Sequence, residues 1–320
     1  MLSKLPSCVC ALPRALSHAL ASTSAAHSPT SSGLGGGVAQ HTSPAWRGWV
    51  QARGLSAAQA INYANDSNQK LVDSLKAQGL LKSERCEAVM RQIDRRDFTT
   101  THLGIPAHVS YSDSQLPIGQ GQSISAPSLH ATCLELLESH ARPGALALDV
   151  GSGSGYFTAC LSLMVGAEGR VVAVERYQRL LEQSGFALAR SVATRVGTAE
   201  PSLTGGHAPL RPELQAGRPL VRIHNIELLL GNALEEPVLA AAAAGRQFDL
   251  VHVGAAVRQP PPELLALLRP GGRMVVAVGP PAAMQSLAVV DKGQDGAITR
   301  TAVCDVRLPP LAQPFADRPL

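Results

Sequence analysis

Acidic residues are absent from the start of the chain. The first is Asp66, whereas Lys4, Arg14, Arg47 and Arg53 all precede it. The same stretch is rich in Ser, Ala and Gly, the composition of an organelle transit peptide, and Arg53-Gly54-Leu55-Ser56 has the form of an organelle-processing site. Residues 1–55 are therefore expected to direct the protein to a mitochondrion or a chloroplast. A disordered leader on a cytoplasmic protein is the alternative reading of that composition.

Other absences exclude whole classes. No apolar run approaches the ~18 residues of a membrane-spanning helix, so no membrane partner is expected. The formal charge of +4 comes from the leader, which holds four of the 28 basic residues; the rest balances 24 basic against 24 acidic residues. Such a remainder offers no phosphate-binding surface, and nucleic acid is not an expected partner. The six cysteines lack pairing: Cys8 and Cys10 sit in the leader, and Cys86, Cys133, Cys160 and Cys304 are scattered singly. With no C-x-x-C spacing and no His cluster, no metal site is expected, and the thiols read as reduced and mostly buried.

What remains is globular, with 45% hydrophobic and 16% charged residues. Residues 56–126 divide into two short helices, at 68–79 and from Ser83 onward, followed by loops with room for short strands over 98–126. Within these loops "PIGQGQSISAPSLHA" (117–131) sets two glycines and small polar residues ahead of Pro127, a residue suited to a first helical position. Residues 127–320 then alternate apolar runs with helical stretches. The strands read 145–150, 170–175, 226–231, 248–254 and 273–279, with helices near 156–166, 176–192, 235–244 and 261–268. Continuous apolar strands alternating with helices predict a doubly wound, Rossmann-like α/β domain around a parallel sheet. Gly271-Gly272 marks a tight turn into the fifth strand. Residues 286–291 and 297–308 flank a "GQDG" turn and should form a C-terminal antiparallel hairpin. Residues 193–222, with four glycines and four prolines, read as a surface insertion.

"LDVGSGSGYF" (148–157) joins a buried strand to a helix at the place where open sheets bind ligands. Gly151, Gly153 and Gly155 would let backbone N–H groups approach a ligand closely. The dinucleotide fingerprint wants a glycine where Tyr156 stands, which weakens a nicotinamide reading. Glu175, ending the next strand, can accept from two ribose hydroxyls, and Asp149 can favour a nearby cation; a sulfonium nucleoside, S-adenosylmethionine, has both features. A tight turn with no ligand is the bland alternative. Residues 252–257, "HVGAAV", lack the Asn/Asp-Pro-Pro-aromatic motif of amino-methylating enzymes, and no Pro-Cys nucleophile is present.

From about residue 68 to 313 the chain resembles the protein-L-isoaspartate O-methyltransferase family. The resemblance rests on "LPIGQGQSISAPSLHA", on "LDVGSGSGYFTACLSLMVG" (148–166), on "FDLVHVGAA" with "LLRPGGRMVVAVGP" (248–280), and on "VRLPPL" (306–311). It implies a class I S-adenosylmethionine-dependent methyltransferase sheet, and an enzyme that methylates the α-carboxylate of L-isoaspartyl residues in damaged proteins and peptides. It also implies S-adenosyl-L-homocysteine as product; a free monomer is expected because a large substrate protein must reach the site. By that resemblance Ser125 is the active-site serine, and Ile124, His130, Asp149, Gly151, Ser152, Gly153, Glu175, Asn232 and Ala233 line the cofactor. From spacing alone Ser125 could instead cap the Pro127 helix, and His130 could be a satisfied core histidine. Two departures stand out: Asn232 where the family commonly has aspartate, and Ala312 where threonine is usual. A methyltransferase for another acceptor and a non-catalytic cofactor-binding adaptor are the competing readings.

Overall fold

The computed structural model describes residues 65–99, 107–193, 219–280 and 283–312. The acid-free leader and residues 194–218 of the insertion lie outside that set. Helix α1 (Asn68–Ala77) starts where Ser67 Oγ accepts from Lys70 N, and it buries Leu71, Val72 and Leu75. Helix α2 (Glu84–Gln92) is capped by Ser83 Oγ and buries Cys86, Val89 and Met90. These hydroxyls satisfy N–H groups that a helix cannot bond internally. Two 3-10 turns follow, Arg95–Phe98 and Ala107–Tyr111. The glycine-containing stretch then forms an antiparallel hairpin of β1 (Leu116–Gly119) and β2 (Gln122–Ile124). Its turn places Gln120 and Gly121 at φ 52° and 69°, the left-handed conformation that closes two-residue hairpins.

Helix α3 (Pro127–Leu137) leads into the main sheet, whose strands are β3 (Leu146–Val150), β4 (Arg170–Glu175), β5 (Pro219–Ile223), β6 (Ile226–Leu230), β7 (Phe248–Val257), β8 (Leu268–Val278), β9 (Gln285–Lys292) and β10 (Ile298–Val306). Helices α4 (Tyr156–Val165), α5 (Gln178–Ala193), α6 (Glu236–Ala243) and α7 (Pro262–Leu267) alternate with them. The strand order is β10-β9-β8-β7-β3-β4-β6-β5. β8, β7, β3, β4 and β6 run parallel, while β9, β10 and β5 are antiparallel. Side chains alternate between two cores. On β4, Val171 and Ala173 join the core under α4 and α5, and Val172 and Val174 join the core under α6. Strand order reverses between β3 and β7, so the loop after β3 opens at the switch point.

Two expectations are corrected. The last residues of the supposed insertion, 219–222, belong to β5 (Pro219–Ile223), which pairs with β6 as an edge strand. The turn expected at Gly271-Gly272 lies inside β8, which already pairs through Leu268; a register shift spans the two glycines, and Gly271 has φ +76°. The C-terminal hairpin is antiparallel, with Gly293 N bonded to Ala297 O at 2.7 Å across its turn. Beyond it the chain returns to the end of β7, where Ala256 N donates to Pro309 O and Leu311 N donates to Ala256 O, both at 2.7 Å. Among the described residues no helix is long and apolar enough to cross a membrane.

Candidate active site

The loop after β3 is held by backbone bonds before any ligand is considered. Gly151 N and Ser152 N donate to Val174 O at 2.9 and 3.2 Å, and Gly155 N donates to Ser152 O at 2.8 Å. Gly155 is the N-cap of α4 at φ 84°, and a Cβ there would sit 3.1 Å from Ser184 and 3.2 Å from Leu188. Only glycine turns this corner while letting α5 pack so closely.

Glu175 is buried at the end of β4. Its Oε2 accepts from Gly153 N and its Oε1 from Tyr177 N, both at 2.9 Å. Burial raises its pKa, and the backbone N–H groups of Tyr177, Gly153 and Arg176 pull it back. A carboxylate offers about four acceptor sites, more than these groups use. The carboxylate thus ties the glycine loop to β4 and retains acceptor capacity.

Asp149 behaves differently from the expectation of a site-facing charge. It is 1% exposed, with Oδ2 accepting from Thr158 Oγ1 at 2.6 Å and Oδ1 2.8 Å from His252 Nδ1. Asp149 and His252 are register partners on β3 and β7, so their side chains share a face of the sheet. His252 packs against Phe157, ring centres 4.0 Å apart. Any effect of Asp149 on a bound cation therefore passes through this buried pair. Gly254, two residues on, permits the close approach of the strands: a Cβ there would lie 2.9 Å from Gly151 O.

On the acceptor side, Ser125 is half-buried between Ile124 and Ala126. It is not the helix cap. Ala126 occupies that position without a side-chain bond, and Asp113 Oδ1 accepts from Ser128 N at 2.8 Å. A carboxylate from 15 residues away satisfies the first turn of α3 and leaves the Ser125 hydroxyl uncommitted among the described residues. One turn on, His130 is buried against Tyr156 and Phe157, ring centres 5.0 and 5.6 Å away. Burial drives its pKa well down, helped by the charge of Arg95 and by His252, so the imidazole is neutral. It is not a satisfied core histidine, because Nδ1 is buried without a partner; Ser152 Oγ is a second such atom. Two orphaned polar atoms beside the glycine loop fit a ligand that brings its own hydrogen-bonding groups.

Asn232 and Ala233 follow β6, and Gly231 N donates to Glu175 O at 3.0 Å, which joins this loop to the ribose-side corner. Asn232 Oδ1 accepts from Leu234 N at 3.0 Å, and its Nδ2 donates to Ala312 O at 3.1 Å. The two positions that depart from the resembled family are therefore in contact. Ala233 is buried. Sequence reasoning missed Asp113, Thr158, Arg95 and His252; of these, a histidine inside the apolar run "FDLVHVG" was the visible signal.

Comparisons with known proteins find relatives over most of the chain. The family described as protein-L-isoaspartate(D-aspartate) O-methyltransferase matches residues 66–212 and 241–315. A Triticum aestivum protein-L-isoaspartate O-methyltransferase is 38% identical over 246 residues, covering 77% of this chain and 91% of its own length. Protein-L-isoaspartate O-methyltransferase 1 of Arabidopsis thaliana is 35% identical over the same coverage of each chain. Among solved structures, a Plasmodium falciparum chain described as a protein-L-isoaspartate O-methyltransferase in complex with S-adenosyl-L-homocysteine has a TM-score of 0.61 at 25% identity. It is matched over 78% of this chain and 99% of that one.

Proposed function

This chain belongs to the protein-L-isoaspartate(D-aspartate) O-methyltransferase family, and from that premise we propose that Ser125 holds the acceptor carboxylate while the glycine loop, His130, Glu175 and the Asn232-Ala233 corner hold S-adenosylmethionine. The enzyme methylates the free α-carboxylate of L-isoaspartyl residues in damaged proteins. Esterification makes that carboxyl a better leaving group, so the chain can close to a succinimide and reopen in part as aspartate.

S-adenosylmethionine supplies an electrophilic methyl group on a sulfonium. The protein's work is placement. An α-carboxyl titrates near ~3.5 and is already ionised at neutral pH, so no general base is needed. Ser125 can donate one hydrogen bond to it, and the small neighbours Ser123 and Ala126 leave room for a backbone lengthened by one methylene. Glu175 has the spare lone pairs to accept from the ribose hydroxyls. Ser152 Oγ and the neutral Nδ1 of His130 suit the charged amino-acid end of the cofactor. Asp149, Thr158 and His252 keep the loop in shape.

The uncommitted Ser125 hydroxyl, freed by Asp113, carries this reading. A hydrogen bond to a charged group contributes roughly 1.5–3 kcal/mol, so Ser125→Ala should slow single-turnover transfer to an isoaspartyl peptide about 10- to 100-fold, with S-adenosyl-L-homocysteine affinity kept. Wild-type rates in the variant would refute the role.

The leader supports delivery to an organelle, the balanced charge of the remainder argues against a nucleic-acid partner, and the access that a large substrate protein needs supports a free monomer. Sequencing the N-terminus of the mature protein should start near Ser56; an intact leader on cytoplasmic protein would contradict that delivery.

A further inference from the structure

Arg95 carries a charge that the reaction so far leaves unused. Its side chain is 0% exposed. Nε donates to Ser110 O at 2.9 Å and Nη2 to Ser114 O at 3.1 Å, while Nη1 is buried without a partner. No carboxylate lies within ion-pair distance of it among the described residues, although the Asp113 carboxylate acts on it from further off and favours its charged form. Burial lowers its pKa to about 10, which leaves it charged at neutral pH.

Its surroundings point to the acceptor. The two carbonyls it holds flank Asp113, whose carboxylate fixes the first turn of α3 just beyond Ser125. Its guanidinium lies 5.9 Å from the ring centre of Tyr156, the first residue of α4 after the glycine loop. His130 packs against the same ring, centres 5.0 Å apart, and feels the Arg95 charge. The cation is thus embedded in the wall between acceptor loop and glycine loop, where low dielectric lets its field reach further than in water. The acceptor arrives as an anion and leaves as a neutral ester.

We propose that Arg95 is a positioning residue whose charge, offset in part by Asp113, draws the ionised acceptor carboxylate toward Ser125 and releases it once it is esterified. The inference rests on the isoaspartyl reading above. It predicts a preference, set by charge at a distance, for the carboxylate substrate over the methyl ester product.

The test uses the full chain, with S-adenosyl-L-homocysteine present, and compares binding of an isoaspartyl peptide with that of its methyl ester. In Arg95→Met the carboxylate-to-ester preference should fall about 10-fold and the peptide KM should rise, with S-adenosyl-L-homocysteine affinity unchanged. Arg95→Lys keeps the charge without the fork and should retain most of the preference. An unchanged preference in folded Arg95→Met overturns the proposal, even if turnover drops, because it reduces Arg95 to a tie between loops. Should Arg95→Met fail to fold, Arg95→Lys decides: loss of the preference there overturns the proposal. A wild-type protein that does not methylate the isoaspartyl peptide would refute the functional reading itself, before any variant is compared.

Discussion

Replacing Asn232 with Asp removes one donor and adds one negative charge. Asn232 Oδ1 accepts from Leu234 N, and an aspartate oxygen does the same. The Nδ2 bond to Ala312 O has no counterpart in a carboxylate, which cannot donate and would set negative charge against that carbonyl. The Ala256 bonds to Pro309 and Leu311 persist, so only the end of the returning segment loosens. One hydrogen bond of this kind contributes about 0.5–1.5 kcal/mol net, equivalent to roughly 2- to 12-fold in affinity if the segment closes over the cofactor. Calorimetry with S-adenosyl-L-homocysteine, and stopped-flow measurement of its release, should show weaker binding dominated by faster release. Equal affinity and release rate in Asn232→Asp and the parent would refute the link between this segment and the cofactor.

Removing the Glu175 carboxylate should cost both ribose contacts and the Gly153 and Tyr177 N–H bonds. We expect Glu175→Ala to weaken S-adenosylmethionine binding about 10- to 100-fold by calorimetry, a larger loss than its effect on unfolding; unchanged affinity would reject the ribose assignment. His130 gives a pH signature. Its folded pKa lies below the ordinary value of ~6.5, so under that pH the unfolded chain takes a proton that the folded chain refuses. Stability should be flat above about pH 6.5 and fall as pH drops below it, and His130→Gln should lose part of that fall. His140, also shifted down, contributes equally to parent and variant, so denaturant midpoints from pH 7.5 to 5 isolate His130. Identical slopes would contradict a neutral buried imidazole.

The sheet was legible because its strands are short apolar runs closed by Gly, Asp or Glu. The run 170–175 matches β4 residue for residue, since both faces of a parallel strand are buried. β5 was not legible: it sits at the end of a Gly/Pro-rich stretch and owes its strand to an edge of β6. The glycine loop and Glu175 could be placed because strand ends put them together. Asp113 capping α3, and His252 meeting Asp149 from 103 residues away, depend on strand order and register, which local pattern does not encode. Asn232 and Ala312, read separately as two departures, touch only because the tail folds back along β7.

The most direct test of the account is methyl transfer from labelled S-adenosylmethionine to an isoaspartyl peptide and to its normal aspartyl twin, using protein that starts at Ser56. The account predicts label in the isoaspartyl peptide alone, recovered as a base-labile ester. Equal labelling of both peptides, or cofactor binding with transfer to neither, would contradict it.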